Sequence, residues 1–188
     1  AANTGNGGNG SGGTSGTGGA GGSGIVVVRY YVGFQELARS VESYFQELRA
    51  DPFTVGLWHL NETSGNALDS SGNGFTGTPT GTTIVDGLLS KARSFNGTSD
   101  YITIPDNNYF DITSNLTLSA WINPTVTGNS AYRTIISKRT SAGATNYQLG
   151  FDNAAGANQG VLTFFNGTAY TSGYIPPVGQ WTHFAVTI

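Results

Sequence analysis

The chain has 188 residues, 29 of them glycine and only 10% charged, with no cysteine, no methionine and a formal net charge of -3. Eight scattered lysines and arginines in an acidic chain give no electrostatic footprint for a phosphate backbone, which argues against a nucleic-acid partner. No apolar run approaches the ~20 residues of a membrane-spanning helix, which argues against membrane insertion, and without cysteine there is no disulfide framework, thiol nucleophile or thiolate metal site. The missing initiator methionine reads as a piece of something longer.

Residues 1–24 hold twelve glycines with Asn, Ser, Thr and Ala, and no charge. So little side-chain surface cannot offset the entropy of ordering glycine, and the segment reads as a stalk or linker. Gly7, Gly10, Gly13, Gly16, Gly19 and Gly22 fall in steps of three. That spacing also suits a polyglycine-type helix packed on others of its kind, since a three-residue turn puts every third residue on one edge. Ile25 to Tyr31 is β-branched and aromatic, and reads as a short strand within 25–33.

Residues 34–51 change character. Phe34, Leu37, Val41, Tyr44 and Leu48 follow the 3-4 spacing of one helix face, and Asp51-Pro52 supplies a stop. The spacing predicts an amphipathic helix, docked on the neighbouring domain or zipping protomers into a homo-trimer through residues 34–48 and the glycine-rich arm.

From Phe53 onward the pattern is β. Candidate strands are Thr54 to Leu60, Ala92 to Phe95, Tyr101 to Ile104, Leu116 to Ile122, Thr134 to Ser137, Tyr147 to Phe151, Val161 to Phe165, Tyr170 to Tyr174 and Thr182 to Ile188. Turn clusters such as Ser71-Gly72-Asn73-Gly74 and Asn166-Gly167-Thr168 separate them. Leu116, Leu118, Ala120 and Ile122 share one face, the alternation of a strand with one buried side. Many short strands of this kind predict an all-β antiparallel sandwich or barrel.

The ordered segments LWHLNETSGNALDSSGNGFTGT, KARSFNGTSDYITIP, LTLSAWINP and GQWTHFAVTI resemble the laminin G-like, concanavalin A-like jelly-roll domains of bacterial and phage surface proteins. The resemblance spans 53–188. Separately, GGSGIVVVRY resembles the glycine-rich domains of phage tail and bacterial surface proteins. The family implies two packed antiparallel sheets, often with carbohydrate or glycoprotein binding, at an extracellular, cell-surface or virion location. Its members continue past the Trp-Thr-His strand with further strands, one of which closes the sheet beside the first. A chain ending at Ile188 therefore leads to the expectation of a jelly roll incomplete at its C-terminus, with an exposed apolar edge near Leu57 to Leu60.

The loop from Asp69 to Gly74 alternates oxygen-bearing side chains and then turns at glycine, as a hard-cation loop does, although Thr80 stands where an EF-hand has its glutamate. The resemblance implies a structural calcium there, with Asp69, Asn73 and Thr76 as ligands. The competing reading is an Asx-type turn in which Asp69 accepts backbone amides. Trp58, Trp121 and Trp181 coincide with family strand motifs and read as core, as His59 and His183 read as structural histidines. That leaves Tyr109, Phe110, Tyr132, Tyr170 and Tyr174 nearer loops as aromatic contacts, with Asp100, Asp106, Asn107 and Asn108 as polar partners for a glycan.

Chemistry finds little support. Retaining glycoside hydrolysis needs two carboxylates ~5 Å apart, yet Glu62 is the only glutamate beyond residue 50 and no serine sits in a nucleophile elbow. The expectation is a non-catalytic carbohydrate-binding or adhesion module, with a structural or oligomerising role in a phage tail fibre or surface protein as the alternative and a glycoside hydrolase in third place.

Overall fold

A computed structural model describes residues 2–4, 26–30, 47–127, 133–139, 145–152, 160 and 162–188, the first two segments as backbone. Thirteen strands occur in the order β1 (Ala2–Thr4), β2 (Val26–Tyr30), β3 (Thr54–Trp58), β4 (Thr78–Thr80), β5 (Thr83–Asp86), β6 (Lys91–Ser94), β7 (Tyr101–Ile104), β8 (Leu116–Ile122), β9 (Arg133–Arg139), β10 (Thr145–Phe151), β11 (Leu162–Phe165), β12 (Ala169–Thr171) and β13 (Thr182–Thr187). The only regular helical turn among the described residues is the 3-10 turn Asn108–Phe110.

Two antiparallel sheets dominate, ordered β12-β11-β10-β9-β1-β7-β4 and β13-β8-β2-β3, with β5 and β6 as a separate hairpin. Their inner faces meet in one core that includes Trp58, Phe95, Ile102, Ile104, Leu118, Ile136, Leu149 and Phe164. The Leu116, Leu118, Ala120 and Ile122 stripe of β8 lies in that core. Trp58 is 1% exposed, and its indole lies across Gly56, where an added Cβ would come within 2.2 Å of the ring. The same indole N–H donates to the Phe75 carbonyl at 2.7 Å, satisfying the one polar atom of a buried tryptophan.

Three expectations meet different outcomes. The apolar edge at Leu57 to Leu60 is not exposed: β2 lies between β3 and β8, and Leu57, Trp58 and Leu60 are 0%, 1% and 4% exposed. The helix predicted over 34–51 lies outside the described residues as far as 46, and Glu47 to Ala50 have no regular structure. There the chain is already committed to a turn, because the Asp51 carboxylate accepts from the Phe53 amide at 3.0 Å and the Thr54 hydroxyl at 2.7 Å. Pro52 adds to this by disfavouring helical angles at Asp51. Ala2–Thr4 forms a strand between β7 and β9, which a stalk does not anticipate; residues 5–25 lie outside the described residues, as does most of the proposed trimer segment.

Candidate functional site

The Asp69 loop is built around one carboxylate. Oδ1 accepts from the amides of Leu57 at 3.0 Å and Ser71 at 2.8 Å. Oδ2 accepts from the Ser71 hydroxyl at 2.7 Å and the Phe75 amide at 2.9 Å. Asn73 turns its amide nitrogen to the carbonyls of Thr54 and Val55, and the Thr76 amide donates to the Gly74 carbonyl at 2.9 Å. Both carboxylate oxygens are therefore spent on donors that pin the loop to β3, and Asn73 offers that strand its donor end. Asp69, Asn73 and Thr76 are brought together, but as an Asx-type turn; this donor set does not fit a calcium ion, which needs six to eight inward-facing oxygens.

Asp100 is also structural in its surroundings. It is 6% exposed, and its Oδ2 accepts from the Asn96 amide at 2.9 Å while Asn96 Oδ1 accepts from the amides of Thr98, Ser99 and Asp100. Asn107 caps the 3-10 turn by accepting the Tyr109 amide at 3.0 Å. Asn108 and Tyr109 are exposed, and the Tyr109 ring rests against Phe75 at 5.9 Å. Phe110, expected near a loop surface, is instead 1% exposed in the core, 4.7 Å from Phe75. Tyr170 lies on β12, five strand spacings from β7, or roughly 24 Å, so the predicted contacts do not converge. Tyr132 lies outside the described residues.

Behind this rim sits Lys138, which the sequence reading does not pick out. It projects from β9 on the core side, is 3% exposed, and pairs with Asp106 and, at 3.0 Å, with Asp111. Its ammonium stands 6.0 Å from the Phe110 ring centroid. Burial pushes the Lys138 pKa down, but the hydrogen bonds and charges of Asp106 and Asp111 outweigh it and leave the value raised. The same hydrogen bond and charge hold Asp106 below the usual carboxylate range.

A concave site lies elsewhere, at the end of the four-stranded sheet. A shallow cleft of about 30 Å³ is lined by Trp121, Trp181, His59, Asn61, Glu47 and the hairpin residues 88–91. Trp121 occupies an odd position between the core residues Ala120 and Ile122, so the strand period turns its indole outward. His183 is its register partner on β13, and the two rings stand 5.2 Å apart at 44°. Burial holds the His183 pKa below the usual imidazole value.

His59 and Asn61 flank Leu60, which is buried in the core with φ of 57°. A left-handed backbone at a bulky residue costs of order 1 kcal/mol or more and collects at functional sites. Here it anchors Leu60 inward while its two neighbours line the cleft. Asn61 donates to Glu47, and His59 Nδ1 is buried without a hydrogen-bond partner, 4.0 Å from Glu47 Oε2. Leu88 and Leu89, 47% and 41% exposed, add an apolar wall beside Lys91, which pairs with Asp86 at 2.6 Å.

Trp121, Trp181 and His59 thus line a cleft where their motifs suggest core or structural roles, while His183 stays packed on Trp121 outside it. The signal that places Trp121 outside is the same alternation that identifies the β8 core stripe.

Residues 96–188 match the family model described as the concanavalin A-like lectin/glucanases superfamily. No curated protein and no solved structure matches the chain. The strands before residue 96 join the matched segment in one core through Trp58, Leu60, Ala67 and Phe95. The two facing antiparallel sheets make this an all-β sandwich, consistent with the concanavalin A-like superfamily that residues 96–188 match.

Proposed function

We propose that the domain is a non-catalytic carbohydrate-binding or adhesion module of an extracellular or virion surface protein, and that the Trp121–Trp181 cleft is its sugar site. The observation that carries this reading is a pair of partly exposed indoles beside an unpartnered imidazole nitrogen. Pyranose rings present apolar C–H faces that stack on indole, while their hydroxyls need polar groups at the edge. His59, Glu47, Asn61 and Lys91 supply such groups within one cleft.

Binding without hydrolysis fits the lining. Among the described residues Glu47 is its one carboxylate, and cleavage of a glycoside by either common route uses two. The loop residues Asn107, Asn108 and Tyr109 offer a second exposed polar and aromatic surface, so the test compares both. Titration of the chain with a panel of neutral mono- and oligosaccharides, followed by tryptophan fluorescence and calorimetry, gives saturable binding. Trp121→Ala or Trp181→Ala weakens it by ~10-fold or more and Tyr109→Ala leaves it intact. Retained binding in both tryptophan variants, or loss only in Tyr109→Ala, moves the site to the loop surface.

A further inference from the structure

Both sheets are bridged through their interiors by strands from the first thirty residues. β1 joins β7 to β9, and β2 joins β3 to β8. β2 is the decisive case. Val26 pairs with Trp58 on one side and Ala120 on the other, Val27 with Leu57 and Ser119, and Val28 with Gly56 and Leu118. Without β2, a gap two strand spacings wide, about 9–10 Å, separates β3 from β8, and each bares a row of amide and carbonyl groups.

β2 is held in that gap by a double ladder, to β3 on one side and β8 on the other. The connection from Tyr30 to Thr54 runs through residues 31–53, far beyond the two to five residues that lock a hairpin. Fully extended, a segment of that length spans on the order of 70 Å, enough to reach another molecule. A β2 strand arriving from a second copy meets the same partners in the same register, and exchange in both directions leaves every ladder bond in place. The self-filled form is favoured only by the effective concentration of a tethered strand, typically millimolar.

We propose that the slot between β3 and β8 is an acceptor for residues 26–30 of a second copy of this chain, so that the protein assembles by strand exchange. The partner surface is the slot itself, and the occupant is the apolar, β-branched segment that fills it in one molecule. Mass action places exchanged forms at high local concentration, as where many copies are displayed side by side.

The chain has no cysteine, so introduced thiols report alone. Cα partners on antiparallel strands stand ~4.5–5.5 Å apart, within the range a disulfide spans. Val27→Cys and Ser119→Cys are placed in separate full-length chains, which are mixed at high concentration, unfolded, refolded together and oxidised. A Val27→Cys and Thr117→Cys mixture is the register control, because Thr117 pairs with Arg29. The same-chain double variant Val27→Cys/Ser119→Cys, refolded dilute, reports whether β2 enters its slot.

Expected are an internal disulfide in the double variant and a covalent heterodimer in the first mixture at least about tenfold above the control, as follows when exchange preserves register. An internal disulfide with no heterodimer overturns the proposal, since β2 then stays with its own chain. Equal heterodimer in both mixtures overturns it as unspecific collision. No disulfide in any sample overturns it by taking β2 out of the slot.

Discussion

Trp121 on β8 and His183 on β13 are direct register partners whose rings lie 5.2 Å apart, so the indole helps to desolvate the imidazole and its charged form is disfavoured. In Trp121→Ala the His183 pKa therefore rises toward ~6.5, the value of an unperturbed histidine. The linkage has a definite sign: a depressed folded-state value gives stability that is present above the ordinary histidine pKa and lost as pH falls through it. NMR titration of the His183 ring in both proteins checks the shift. An unchanged value means that the stacking does not set it.

Sugar binding carries a separate expectation at the same pair. Loss of one stacking indole weakens binding by ~10-fold or more, since a well-formed aromatic contact contributes about 1–1.5 kcal/mol. His59→Ala opens the cleft floor and removes the unpartnered nitrogen, so it weakens binding while leaving the fold intact; circular dichroism and calorimetry separate the two effects. Binding unchanged in His59→Ala takes that nitrogen out of the site.

Much of this arrangement was readable before any coordinates. From Phe53 onward, the β-branched runs, their turn clusters and the β8 stripe place nine strands close to those observed, because one-sided burial imposes a period of two that side chains display directly. β4 and β5 were harder to see. Thr78–Thr80 contains a proline, which is tolerated at a sheet edge, and Thr83–Asp86 alternates over too few residues to stand out. β1 carries no pattern in the sequence, since Ala2, Asn3 and Thr4 are too few and too weakly β-forming to stand out. At the site, the β8 parity that puts Trp121 outside competes with a family strand motif that reads it as core. The cleft is not legible, because His59 beyond β3, Trp181 before β13 and Lys91 at the start of β6 are brought together only by the folded sandwich.

The Asp69 carboxylate takes four donors, three of them amides, with Leu57 on β3 and Ser71 and Phe75 in the loop. Asp69→Ala leaves the Leu57 amide unpaired beside a fully buried residue and costs about 2–3 kcal/mol, the penalty of one orphaned buried donor and the loss of charged hydrogen bonds. Chemical denaturation measures it. Calcium at millimolar concentration, or a chelator, leaves the melting temperature of the wild-type chain unchanged; a calcium-dependent rise would show that the donors around Asp69 give way to a cation.

Gly81 stands with φ of 75° over Asp100, and a Cβ added there would fall 2.1 Å from Asp100 Oδ1. Gly81→Ala therefore combines an unfavourable left-handed backbone with displacement of a buried carboxylate from its turn, and loses about 2–4 kcal/mol. Gly65→Ala has the same sign of φ but nothing within 4 Å, so it isolates the backbone cost at about 1 kcal/mol. Equal losses in the two variants would mean that Asp100 moves aside freely.

Lys138 and Tyr147 set the alkaline limit of the fold. Tyr147 is 2% exposed, and burial, with the Asp111 charge, pushes its pKa well above the phenol value; the Lys138 pKa is raised because two carboxylates outweigh its burial. Both groups hold their protons more tightly when folded, so their stabilisation is complete below the unfolded values near 10 and declines as pH rises through them. Equilibrium denaturation followed from pH 7 to above 11 falls in this window, and Tyr147→Phe flattens the curve. Asp106 and Asp111 are half-exposed partners of a buried ammonium, so either single Asn variant loses little because the other carboxylate still pairs the charge. The double variant Asp106→Asn/Asp111→Asn strands the ammonium in the sandwich and loses about 3–5 kcal/mol, more than the sum of the singles. Additive losses would mean that Lys138 swings to solvent when its partners are neutral.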